Sequence, residues 1–134
     1  MQRIALLAVA ALVALFGVAC GAEKKQEGHR LVSPAEFAKA MAEPGVVTLN
    51  VLGPNAPSIP GTDLAIPVDE LSSGNSKLPP TSTKLAVYCW SGHTSAVAVP
   101  VLERLGYTNI VELEGGMQAW QADGRRLIVF TPSG

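Results

Sequence analysis

Cysteine is nearly absent from this chain: there are two in 134 residues, Cys20 and Cys89. Histidine is as scarce, with only His29 and His93, and these few residues lie too far apart to make a ligand set. A resident metal is therefore not expected, and nothing calls for an organic cofactor. A dithiol redox motif is missing too, because Gly92 stands where the second cysteine of a Cys-x-x-Cys pair would be. There is no cluster of arginine or lysine, and the formal net charge is −1, which argues against a nucleic-acid partner. Internal repeats are absent. The length suits one domain and not two.

What is present begins with an unusual amino end. Met1-Gln-Arg3 carries a positive charge, and Ile4 to Ala19 is apolar throughout. This run is short for a spanning helix, which needs about 20 residues. It reads as a signal peptide over residues 1–19. Phe16-Gly-Val-Ala-Cys20 resembles a bacterial lipobox, with Gly17 where that pattern prefers leucine. The resemblance implies lipidation of Cys20 and a membrane-anchored lipoprotein in the cell envelope or periplasm. Gly17-Val-Ala19 also fits plain secretion. Both readings place the domain outside the cytoplasm. Cleavage before Cys20 removes Arg3 from ten basic residues, leaving nine against eleven acidic, a net −2. Residues 20–30 are polar and read as a tether, with His29 as a solvated side chain.

If Cys20 is acylated, Cys89 is the one free thiol, and no intramolecular disulfide can form. Its context argues for use. Leu85-Ala-Val-Tyr-Cys89 is an apolar run, Trp90-Ser-Gly-His-Thr94 a small polar turn, and Ser95-Ala-Val-Ala-Val99 opens a helical segment. That order sets a thiol at the carboxyl end of a strand, facing unpaired N–H groups and the positive end of a helix dipole. Such surroundings favour the sulfur anion, so Cys89 is the candidate nucleophile.

The remainder reads as its frame. Ser33, Pro34 and Glu36 form a helix start with a capping box, and Val32 and Phe37 are spaced as a hydrophobic staple. This helix is expected to end near Ala42, before Pro44-Gly45. Val46–Val51 has the continuous β-branched character of a buried parallel strand. Leu64–Ile66 is a short strand stopped by Pro67, with a helical turn around Val68–Leu71 and a loop over 72–83. Ser95–Leu105 is a helix capped by Thr94 or Ser95, stopped at Gly106 and disturbed at Pro100. Asn109–Leu113 is a strand, Met117–Ala122 a helix, and Leu127–Phe130 a tail packed on the domain. Alternating strands and helices predict an α/β domain with a mainly parallel sheet. Ligands bind such sheets at the carboxyl ends of strands, where Cys89 lies.

Three stretches together resemble the rhodanese-like (sulfurtransferase) family. They are Ile59-Pro-Gly61 with Ala65-Ile-Pro67 and Asp69-Glu-Leu71; Tyr88-Cys89-Trp-Ser-Gly92-His-Thr-Ser95-Ala96; and Leu105-Gly-Tyr107 with Asn109-Ile-Val and Leu113-Glu-Gly-Gly116-Met-Gln-Ala-Trp120. The resemblance covers about Leu31 to Leu127, and the domain is taken as 31–130. It implies a three-layer fold, a mainly parallel central sheet flanked by helices. It also implies a six-residue active loop from Cys89 to Thr94 and a persulfide on Cys89. Trp90, Ser91, Gly92, His93, Thr94 and Ser95 become the residues expected to bind substrate. Gly92 would let the loop turn, and loop N–H groups would cradle the anion.

Departures from the family pattern bear on the substrate. Asn50-Val51-Leu52 replaces an Asp-Val-Arg end of the first core strand, and Ser58 replaces a histidine. Trp90 and Ser91 stand where thiosulfate-using members often carry a basic residue, leaving His93 as the one source of charge. Trp90 reads equally as a packing residue and as a wall of the donor pocket, and Trp120 as core. The expected reaction moves sulfane sulfur from thiosulfate or a persulfide donor to a thiol, cyanide or sulfite. The alternative is a low-turnover persulfide carrier or a non-catalytic binding module at the membrane. A Cys-x5-Arg phosphatase is disfavoured, since Ser95 occupies the arginine position.

Overall fold

The computed structural model describes residues 28–73 and 77–131. The signal peptide, Cys20 and most of the tether lie outside the described residues. Among those described, no helix is long and apolar enough to cross a membrane.

Five parallel strands form the central sheet in the order β1 (Gly28–Val32), β6 (Asn109–Leu113), β5 (Leu85–Tyr88), β2 (Val47–Asn50) and β4 (Leu64–Ala65). Strands β5 and β6 occupy its middle and are buried on both faces, as their apolar runs require. One face packs Leu85, Val87 and Ile110 against Ala98, Val99 and Leu102 of helix α2 (His93–Arg104). The opposite face packs Ala86, Tyr88, Val111 and Leu113 against α1 (Pro34–Met41) and α3 (Gly116–Ala122). The result is three layers around a mainly parallel sheet.

Local signals account for most boundaries. Ser33 accepts from the Glu36 N–H at 3.3 Å, and the Ser33 N–H donates to the Glu36 carboxylate at 3.4 Å. Val32 and Phe37 are buried in one cluster, completing the staple. Gly106 ends α2 at φ +108°. There the Tyr107 N–H reaches the Leu102 carbonyl at 3.1 Å and the Gly106 N–H that of Glu103 at 3.0 Å, a Schellman ending. Helix α2 continues through Pro100, which sits on its exposed side.

Several expectations need correction. Residues 28–30 are not tether but the start of edge strand β1, which pairs in register with β6 from Gly28 against Asn109. Helix α2 begins two residues earlier than expected, and its cap is Gly92 at φ +100°, not Thr94 or Ser95. No side chain caps it, and the Ser95 hydroxyl is engaged elsewhere. The tail past Leu127 is partly a strand: β7 (Ile128–Val129) pairs antiparallel with β3 (Pro57–Ser58) in a separate ribbon. Leu127 packs on the core while Val129 stays exposed.

Helix α3 seats the segment after β5. Its first free N–H groups point back at that segment, Met117 donating to the Cys89 carbonyl at 2.9 Å and Gln118 to the Trp90 carbonyl at 3.0 Å. This approach demands glycine. A Cβ on Gly116, at φ +59°, would lie 2.6 Å from both carbonyl oxygens.

Two outcomes follow for stability. Gly116→Ala is expected to destabilise the fold by more than about 2 kcal/mol, from left-handed backbone strain plus the collision. Gly124→Ala, at φ +78° with open space around it, should show the strain alone; equal losses in urea unfolding would disprove the seating role. Burial holds the Tyr107 phenol above its ordinary value of 10.0. The unfolded chain therefore releases that proton first, and stability complete below pH 10 declines as pH rises towards the folded value. Tyr107→Phe should lose less stability over that interval than the wild type.

Candidate active site

Cys89 follows the last residue of β5 and is 1% exposed. The chain turns immediately behind it, so the Gly92 N–H donates to Sγ at 3.0 Å. Gly92 carries the positive φ that makes this turn, and α2 starts at the next residue. Sulfur thus sits inside the first turn of backbone leading into the helix, where N–H groups lack intrahelical partners. Among the described residues Cys89 is a free cysteine.

Ser95 lies one helical turn on and is fully buried. Its Oγ is 3.4 Å from Sγ, 3.3 Å from the Gly92 carbonyl and 2.7 Å from Oε1 of Glu112. Glu112 is on β6, two residues from Ile110 and so on the same face, the one that α2 covers, and is 3% exposed. Its other oxygen, Oε2, is 2.6 Å from Nε2 of His29 on neighbouring β1. A buried carboxylate costs several kcal/mol unless its oxygens are partnered, and here both are. The side chains Cys89, Ser95, Glu112 and His29 therefore form one continuous line from the sulfur to the surface.

Neither Glu112 nor His29 was anticipated as part of the site. His29 is exposed, as a solvated side chain would be, but it belongs to a strand and is paired to a carboxylate instead of lying in a tether. Glu112 did leave a signal: it is the one charge inside Asn109-Ile-Val-Glu-Leu113, a strand otherwise built for burial. Residues expected to bind substrate are divided by the structure. Ser91, Gly92 and His93 line a shallow groove of about 360 Å³ together with His29, Glu112 and Gly115. The groove lining holds no lysine or arginine. Trp90 is outside that lining, 41% exposed, its carbonyl held by α3. Thr94 is half-buried at the start of α2.

The departures at Asn50 and Ser58 meet in space. Asn50 Nδ2 donates to Ser58 Oγ and to the Pro57 carbonyl, both at 3.0 Å, and Asn50 Oδ1 accepts from the Leu52 N–H at 3.0 Å. A neutral amide thereby holds the β3 segment beside the end of β2. Tyr88 holds the same segment from the active strand: its hydroxyl accepts from the Ile59 N–H at 2.9 Å and pairs with Thr62 at 2.6 Å. The Ile59-Pro-Gly61 stretch is thus tied to the residue preceding Cys89.

Comparison with known proteins follows this geometry. A comparison with curated proteins gives no match. A rhodanese-related protein from Thermoplasma volcanium is 32% identical, with 75% of this chain covering 99% of that one at a TM-score of 0.63. A rhodanese homologue from Thermus thermophilus is 33% identical over 67% of this chain and 99% of that one, with a TM-score of 0.56. A 3-mercaptopyruvate sulfotransferase from Escherichia coli shares the fold at 19% identity, with 78% of this chain covering 53% of that one and a TM-score of 0.58. The family model for the rhodanese-like domain matches residues 31–123. With its parallel sheet, its glycine-turned loop and its sulfur at the end of β5, the chain belongs to the rhodanese-like domain family.

Proposed function

We propose that the protein is a sulfurtransferase that carries sulfane sulfur as a persulfide on Cys89. The observation that supports this best is the buried Sγ with the Gly92 N–H at 3.0 Å and the Ser95 hydroxyl at 3.4 Å. The Gly92 N–H donates to the sulfur and suits its anion, while the Ser95 oxygen accepts from the resting thiol. The Cys89 thiolate attacks the outer sulfur of a donor of the type R–S–SH. The donor's S–S bond breaks and its electron pair leaves with R–S⁻, while a new S–S bond forms on Cys89. A thiol, cyanide or sulfite then attacks the outer sulfur, and the Cys89 thiolate departs unchanged.

Charge decides the class of donor. Thiosulfate is a dianion, and the groove beside the loop offers a buried glutamate and no permanent cation. An organic persulfide or polysulfide of lower charge suits this lining better. The apolar run from Ile4 to Ala19 and the cysteine after it support an extracytoplasmic site of action, anchored by lipid on Cys20.

Incubation with glutathione persulfide should add one sulfur to Cys89, and cyanide should remove it through repeated turnovers. Cys89→Ser should abolish both. A stable adduct without turnover would replace the enzyme with a carrier, and no adduct from any donor would end both readings. Fatty-acid labelling should be lost in Cys20→Ala; labelling that persists would refute the anchor.

A further inference from the structure

The Glu112 carboxylate has no evident structural purpose. It occupies a buried position on β6 that shares a face with Ile110, against α2, where an apolar side chain would pack without needing partners. It is held instead by one oxygen on Ser95 and the other on His29, at 2.7 and 2.6 Å. Counting protons shows what this arrangement does. Ser95 has a single hydroxyl proton and three neighbours: the Gly92 carbonyl at 3.3 Å, Sγ at 3.4 Å and Glu112 Oε1 at 2.7 Å. The short contact to a charged acceptor takes that proton. The Ser95 oxygen is then left to accept from the Cys89 S–H. Every donor in the resting line points outward, from sulfur to serine to carboxylate.

We propose that Glu112 is the proton acceptor for Cys89, acting through Ser95. The thiol proton passes to Ser95 Oγ as the Ser95 proton passes to Glu112 Oε1. The S–H and Ser95 O–H bonds break, a new O–H bond forms on Ser95 and another on Glu112, and no proton leaves the protein. The product is a thiolate, an intact serine hydroxyl and a neutral carboxylic acid. The two hydrogen bonds that join sulfur, Ser95 and Glu112 survive with their direction reversed, because Glu112 now donates to Ser95 and Ser95 to sulfur. His29 remains on Oε2 and keeps that oxygen partnered in either state. Glu112 and His29 are positioning residues in this scheme, since neither touches the sulfur.

The ionisable groups facing Glu112 are His29 from β1, His93 from α2 across the groove, and the Cys89 thiol. On β1, Arg30 lies one residue from His29 and so on the opposite face. Glu114 is two residues beyond Glu112, past the end of β6 and exposed.

An internal transfer has a distinct pH signature. The thiol–carboxylate and thiolate–acid forms hold the same number of protons, so bulk pH does not set their ratio while the pair holds that one proton. The proposal rests on Cys89 as the reacting thiol, and its test needs no sulfur donor. The full chain is treated with iodoacetamide between pH 5 and 9, and alkylation of the Cys89 peptide is timed by mass spectrometry, which keeps Cys20 out of the signal. The wild-type rate should run flat across part of this range. In Glu112→Gln and Ser95→Ala it should climb about tenfold per pH unit, as for an isolated thiol, and the double variant should match the single ones. A wild-type rate that climbs tenfold per unit throughout would overturn the proposal. So would a Glu112→Gln profile that superimposes on the wild type. Ser95→Ala carries the test if the Gln variant does not fold. Loss of sulfur transfer with the flat interval retained would count against the persulfide reading and leave this one standing.

Discussion

Two backbone hydrogen bonds set the geometry of this site. The amides of Met117 and Gln118, at the open end of α3, hold the carbonyls of Cys89 and Trp90. A helix end must give its first N–H groups to something. Here they fix the strand exit that carries the sulfur. The carbonyls are held by α3 on one face of the sheet, and the Gly92 amide reaches Sγ where α2 begins on the other. Both glycines of the Gly115-Gly116 pair are needed for this fit. A Cβ on Gly115 would lie 2.8 Å from the Ala119 side chain, and one on Gly116 would strike the loop itself. The loop is therefore clamped between two helices that lie on opposite sides of the sheet.

Against that rigid backbone the polar side chains are placed with little slack. Tyr88, Asn50 and Ser58 are fully buried and hydrogen-bonded. Among the described residues no buried side-chain nitrogen or oxygen lacks a partner. The interior thus keeps two separate polar systems, one tying the Pro57–Thr62 segment to β2 and β5, the other running from Cys89 to His29. The first contains no carboxylate and no cation. The second holds the carboxylate and the thiol.

Elements with local signals were legible in the sequence. The Ser33 capping box, the Gly106 stop and the apolar run into Cys89 each act within a few residues, and each proved to be where the pattern placed it. Edge elements were not. Gly28-His-Arg-Leu-Val32 is mostly exposed and polar, and it becomes a strand only because β6 offers a ladder to pair with. Residues 128–129 likewise acquire strand geometry from β3. The cap of α2 was misread because Ser95 has the right residue type for capping but spends its hydroxyl on Glu112. Asn50 and Ser58 looked like two separate losses, eight positions apart; in space they are a single contact. Cys89 could be found from strand–turn–helix order alone. The partners behind it could not, since they come from strands whose neighbours are settled by topology.

The placement of the two tryptophans has an optical consequence. Trp120 is 6% exposed, edge-on to Phe37 at 6.4 Å with the Arg125 guanidinium 4.9 Å above its ring. Trp90 follows Cys89 directly in sequence and is 41% exposed. Their emission therefore divides by colour, bluer from the interior and redder from the loop. The redder component comes from the residue that follows Cys89 in the chain. The exposed emitter is thus the sequence neighbour of the candidate nucleophile, with a second, internal fluorophore against which to normalise it.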